Sequence, residues 1–175
     1  MLFWWTSVAL GASLARLQAG PAVDGSAGIG WAGSPEPAAV AGQLSAGVWT
    51  GRYDDDFAIG RHWWFGATGR LRARAARVSV APTLEIRRGV DLLVASVQGF
   101  VSGGLVADVA GSEDARALGY TGTVGLMARY RRTRHTSLLV RLEGGVEVVA
   151  GEVKPMLAAT LGLGFARPFK SPPER

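Results

Sequence analysis

The 175-residue chain contains no cysteine and only two histidines, His62 and His135. Without thiols there is neither a disulfide frame nor a thiolate metal site, and two histidines do not make a polyhistidine centre. Charge is also sparse: 19% of residues are Asp, Glu, Lys or Arg, though they leave a net charge of +5. No basic residue precedes Arg16, so the apolar start Leu2, Phe3, Trp4, Trp5 lacks the positive head of a secretory signal. The sequence is therefore expected to be a mature or truncated form, or a piece of a longer protein. Gly28-Ile29-Gly30 has no third glycine and no following Lys-Ser/Thr, which excludes a phosphate-cradling loop. Asp54-Asp55-Asp56 lacks the alternating spacing of a calcium loop and reads as solvated. Neither a metal nor a cofactor is expected.

Apolar residues make up 48% of the chain, yet mean hydropathy is only +0.18, because they are interleaved with Gly, Ser, Thr and Arg. The interleaving has period two, which puts successive side chains on opposite faces of a strand. From Ser137 to Val149, one face holds Leu138, Val140, Leu142, Gly144, Val146 and Val148, and the other holds Arg141, Glu143 and Glu147, with Leu139 and Val149 out of phase. A helix would scatter those charges around its circumference. Val78, Val80, Pro82, Leu84 and Ile86 oppose Arg77, Glu85 and Arg87; Pro82 removes a ladder donor and predicts a bulge or a strained pairing there. Phe65 to Arg74 sets Leu71 and its neighbours against Arg70, Arg72 and Arg74, and Val124 to Arg131 sets Tyr130 against Arg129 and Arg131. Similar runs cover Trp4–Leu14, Gln43–Val48 and Leu157–Phe165.

Turn signals separate the runs: Ala19-Gly20-Pro21 to Gly25, Gly33 to Pro37, Asp54 to Asp56, Arg88-Gly89, Gly111 to Asp114, Arg132 to Arg134 and Ala150-Gly151. Val90–Ala110 is almost wholly apolar and reads as a long strand bent at Gly103-Gly104, with a membrane helix as the competing assignment. The expected architecture is all-β: a closed antiparallel up-and-down transmembrane barrel of eight strands. The count rises to ten if Ser26–Ala32 and part of Phe57–His62 pair separately. The barrel takes residues 1–169, and 170–175 form a short polar tail.

One apolar face suits a soluble barrel as well as a membrane one. Two features favour the membrane. The alternating runs exceed the usual five or six residues of a strand, and aromatics gather near run ends as interfacial girdles: Trp4, Trp5, Trp49, Trp63, Trp64, Tyr130, Phe165 and Phe169. The last run, Pro155–Phe169, alternates apolar residues and finishes on Phe169. In this it resembles the C-terminal strand of small Gram-negative outer-membrane barrels, where a terminal aromatic is the assembly signal. The resemblance spans the chain as a pattern and implies a class and a location, the bacterial outer membrane, without an activity.

The polar face, assigned to the lumen, carries Arg70, Arg72, Arg74, Arg77, Glu85, Arg87, Arg129, Arg131, Arg141, Glu143 and Glu147. It reads either as an anion-attracting, porin-like lining or as Arg and Glu paired to fill a narrow bore, and the second is favoured because eight strands leave little open space. Arginines confined to one strand face also weigh against nucleic acid as a partner. Membrane lipid is the expected partner, with lipopolysaccharide or small anions as further ones. The alternatives are a soluble lipocalin-like barrel binding an apolar ligand and a lipid-modifying hydrolase. The latter rests on His135-Thr136-Ser137 with Glu143 or Glu147, faintly similar to the His-x-Ser and distant Glu of outer-membrane lipid A deacylases. Ser137 lies in the inward phase, away from lipid, so no catalytic residue is assigned.

Overall fold

The computed structural model describes residues 17–32, 39–53, 59–74, 77–92, 95–110, 117–132 and 136–166. These form eight strands: β1 (Leu17–Ala32), β2 (Ala39–Tyr53), β3 (Ile59–Arg74), β4 (Arg77–Leu92), β5 (Ala95–Ala110), β6 (Leu118–Arg131), β7 (Thr136–Val149) and β8 (Glu152–Ala166). Each pairs antiparallel with its chain neighbour and β8 returns to β1, so the sheet is a closed barrel without an edge. Closure pairs the backbone polar groups that an open sheet would expose. The β7–β8 connection is a two-residue turn, Ala150-Gly151, with φ of 53° and 82°. Positive φ at both central residues gives the twist that continues an antiparallel hairpin.

The stagger of the ladder sets the bore. From Ala22 the pairing runs through Gly47, Gly66, Glu85, Ser102, Thr123, Gly145 and Met156 and meets β1 again at Ala32, ten residues further on. On eight strands a stagger of this size goes with a tilt of roughly 40° and an interior wide enough only for side chains.

Alternation decides what enters that interior. Arg87, Arg141 and Glu85 are each 1% exposed, while Leu84, between two inward positions of β4, is 73% exposed. Val101, Val124, Val140, Leu142 and Leu161 likewise face outward. The wall is apolar outside and polar inside.

Several boundaries differ from the sequence expectation. The expected strand at Trp4–Leu14 lies outside the described residues. β1 runs through Ala19 to Gly25, where a turn was expected; Pro21 is tolerated because the described ladder with β8 begins only at Ala22. Ser26–Ala32 and Ile59–His62 are the ends of β1 and β3, so the count stays at eight. The apolar stretch Val90–Ala110 contains no helix and divides between β4 and β5. Arg88-Gly89 and Gly103-Gly104, expected to bend the chain, lie within straight pairing. Gly89 and Gly104 are there for space: a Cβ on Gly89 would strike Gln98 and His62, and one on Gly104 would strike the backbone of Pro82 and Thr83. The register shift falls at Val78/Ser79, and at outward-facing Pro82 the pairing with β5 is interrupted, skipping Ala81 and Pro82, in line with the expected strained pairing.

Inward glycines are consequently the intolerant ones. A Cβ on Gly162 would overlap the Gly25 carbonyl and Ser26, whereas Gly122 has nothing within 4 Å. Gly162→Val should cost about 1–3 kcal/mol through overpacking and Gly122→Ala close to nothing, as read by equilibrium urea unfolding. Equal costs would contradict the assignment of faces.

Candidate functional site

Inward alternation delivers charges to the bore from β1, β3, β4, β6 and β7, and the narrow diameter forces those charges together. Glu85 on β4 is the hub. Its two carboxylate oxygens take a parallel fork from Arg141 on β7, Nη1 to Oε1 and Nη2 to Oε2, both at 2.8 Å. Arg87 Nε donates to Oε1 at 2.5 Å and Arg70 Nη2 lies 3.3 Å from Oε2. Charge-assisted, bidentate pairs of this kind are the strong ones, and here all partners are dry.

The remaining charges extend the hub along the axis. Arg141 Nη2 also donates to Glu143 Oε2 at 2.9 Å, and Arg70 stands 3.5 Å from the same oxygen. Arg72 is paired with Glu147. Asp24 on β1 accepts from Arg87 and, through both oxygens, from Arg129 on β6 at 2.7 and 2.8 Å. Because β3 and β7 are four strands apart on an eight-strand ring, the Arg70–Glu143 and Arg72–Glu147 pairs cross the full diameter.

Hydroxyls and rings fill the remaining space. Arg70 donates to Ser102 at 2.7 Å, Thr123 at 3.0 Å and Thr83 at 3.2 Å, and Thr68 lies within 3.3 Å of both Ser45 and Glu85. The Arg141 guanidinium sits 3.6 Å over the Phe100 ring and that of Arg87 3.8 Å over Trp64. These contacts stabilise a desolvated guanidinium through the ring's negative face.

Of the charges assigned to the lumen, Arg70, Arg72, Glu85, Arg87, Arg141, Glu143 and Glu147 are buried in this network, and Arg129 is nearly so. Arg74, Arg77 and Arg131 lie in strands, but their side chains fall outside the described residues. The aromatics divide. Trp63, Tyr130 and Phe165 face outward, and Trp4, Trp5 and Phe169 lie outside the described residues. Trp49 and Trp64, expected in the girdle, point inward and pack with Ala22. Their correction follows from phase: Trp49 shares parity with buried Ser45, and Trp64 with His62 and Thr68. Gly47 and Gly66 leave the room that the Trp64 ring occupies.

Ser137 is buried and its hydroxyl donates to the Gly164 carbonyl at 3.4 Å; Glu143 and Glu147 are engaged by arginines. His135 and Asp54–Asp56 lie outside the described residues. Among the described residues no three His, Asp or Glu side chains group as metal ligands. The member that sequence reasoning missed is Asp24. Its inward phase, flanked by Ala22 and Ser26, is obscured by the glycines and proline around it.

The site is thus the packed ionic core of an eight-stranded up-and-down barrel. No family model matches the chain, and neither does any curated protein sequence. Among solved structures it is similar to Ail, the attachment invasion locus protein of Yersinia pestis. The identity is 8% and the TM-score 0.44, over 85% of this chain and 97% of that one. The fold assignment stands on the closed ladder and not on that likeness.

Removing the hub carboxylate would leave Arg70, Arg87 and Arg141 competing for the remaining acids. Glu85→Gln should therefore destabilise the barrel by about 3–5 kcal/mol, the cost of stranding buried charge. Glu152→Gln on the exposed rim should change stability by less than about 0.5 kcal/mol. Equilibrium unfolding of both variants in one buffer compares them directly.

Proposed function

We propose that the chain is an integral β-barrel of the bacterial outer membrane whose bore is closed by its own ion pairs, with a structural role and no open channel or turnover. The observation that carries this reading is the inversion of polarity: the buried positions hold Arg, Glu, Ser and Thr, while the exposed ones hold Val, Leu, Ile and aromatic residues. In water such an apolar belt would aggregate; in hydrocarbon it is the required surface. Strands of 14 to 16 residues exceed the 9 to 11 that a tilted strand needs to cross a bilayer. Outward aromatics also mark both rims. Tyr130 and Phe165 are each next to last in their strands at the rim bearing the described termini, and Tyr120 lies at the other.

The soluble lipocalin-like alternative requires an apolar interior for an apolar ligand. The core is instead built around Glu85 and its arginines, which weighs against it. The deacylase alternative requires Ser137 to meet lipid, and its hydroxyl is inside the barrel.

Purified protein should need detergent and migrate faster unheated than boiled on a gel. Val140→Arg, at mid-strand on the outer face, should cost roughly 2–4 kcal/mol in a bilayer. A monomer soluble without detergent, or a silent Val140→Arg, would end the membrane reading. In planar bilayers the closed bore should show no sustained conductance, and a steady open channel would refute closure while leaving the membrane reading intact.

A further inference from the structure

Charges on the outer wall are few and unevenly placed. Among the residues whose side chains are described the outward strand arginines are Arg61 and Arg88, both toward the rim that bears the described termini, and exposed Arg132 lies at the same rim. At the opposite rim exposed Glu152 has a partner in Lys154 at 3.4 Å. Arg61 and Arg88 have no carboxylate partner among the described residues, so nothing in the described wall neutralises them.

Their setting is specific. Arg88 is the ladder partner of Trp63, and Arg61 lies two residues from Trp63 on the same outward face. The Arg88 guanidinium stands 5.2 Å from the Trp63 ring centroid, and that ring is stacked on Phe65 at 6.0 Å and 10°. Two cations thus flank one aromatic platform.

A guanidinium on the lipid-facing wall is stable only where it reaches headgroups. Its planar fork matches two phosphate oxygens, while an aromatic ring beside it suits the glycerol and ester level of the interface. We propose that Arg61 and Arg88, on either side of Trp63, form an external binding site for the phosphate of a net-anionic membrane lipid. Arg88, held over the indole, orients the phosphate, and Arg61 closes on it from the rim side. The apolar surface of Phe65 and Ile86, next along the same ladder, lies beneath for the acyl chains. The assignment rests on the barrel being embedded in a membrane.

The test is native mass spectrometry of the protein released from nanodiscs of phosphatidylcholine containing a minority of phosphatidylglycerol. The wild type should retain phosphatidylglycerol in excess of its share. Each of Arg61→Gln and Arg88→Gln should reduce that excess about fivefold, the scale of one arginine at an anionic surface. Arg61→Lys with Arg88→Lys, which keeps the charge and loses the fork, should fall between the wild type and the double glutamine variant, and Lys154→Gln at the other rim should leave it unchanged. A double glutamine variant that holds phosphatidylglycerol like the wild type overturns the site. So does equal displacement of the lipid by glycerol phosphate, which would make the ligand a soluble phosphate. Insertion without any preference for phosphatidylglycerol removes this inference alone, whereas failure to enter either bilayer removes the membrane reading with it.

Discussion

Eight strands closed with a ten-residue stagger leave a bore that side chains must fill completely, and the rest of the structure follows from that geometry. An apolar filling would be simpler energetically, but strand alternation assigns the apolar residues to the outer surface. The inner phase is left with Arg, Glu, Ser and Thr. Buried charges are tolerable only when paired and hydrogen-bonded, so each inward strand supplies a group that a neighbouring or opposite strand complements. Glu85 meets arginines from three strands, its own included, and Asp24 shares Arg87 with it and adds Arg129 from β6. The ionic core is the means by which a polar inner face becomes a solid interior.

The same crowding explains the glycines. They are needed less for backbone freedom than for volume, since inward positions such as Gly47, Gly66 and Gly162 would drive a Cβ into neighbouring backbone or the Trp64 ring. Among the described residues ten glycines would put a Cβ within 3.0 Å of a neighbour, which points to crowding inside a small barrel. Placed on the outer wall, as at Gly99 and Gly122, glycine meets nothing.

Period-two alternation makes the closed barrel and its inward arginines legible in the amino-acid order alone, because one bit of information per residue, in or out, survives any register. Composition-based turn signals are less reliable. Pro21 and the glycines around Asp24 mimic a turn, which hides half of β1 and its one inward acid. Gly89 and Gly104 mislead for the same reason, as residues that look chosen for turning when they are chosen for size. Trp49 and Trp64 show the limit of reading aromatics by position along a run: nearness to a strand end suggests a girdle, but parity with Ser45 and Thr68 places them inside. Pairing partners such as Arg72 and Glu147 lie 75 positions apart and depend on ring closure, which no local pattern encodes.

The pairs that cross the diameter bear on how such a barrel assembles. In a sheet of β1 to β4 alone Arg72 would lack Glu147 and Arg70 would lack Glu143, since both acids arrive with β7. A half-built wall would thus hold Arg72 without its partner on the face that is to become the interior, and in the membrane proposed for this barrel hydrocarbon offers it no relief. Partial sheets are therefore poor resting states inside a membrane. The carboxylates of the pairs that cross the diameter come with β7, and this ties completion of the ring to burial of Arg70 and Arg72.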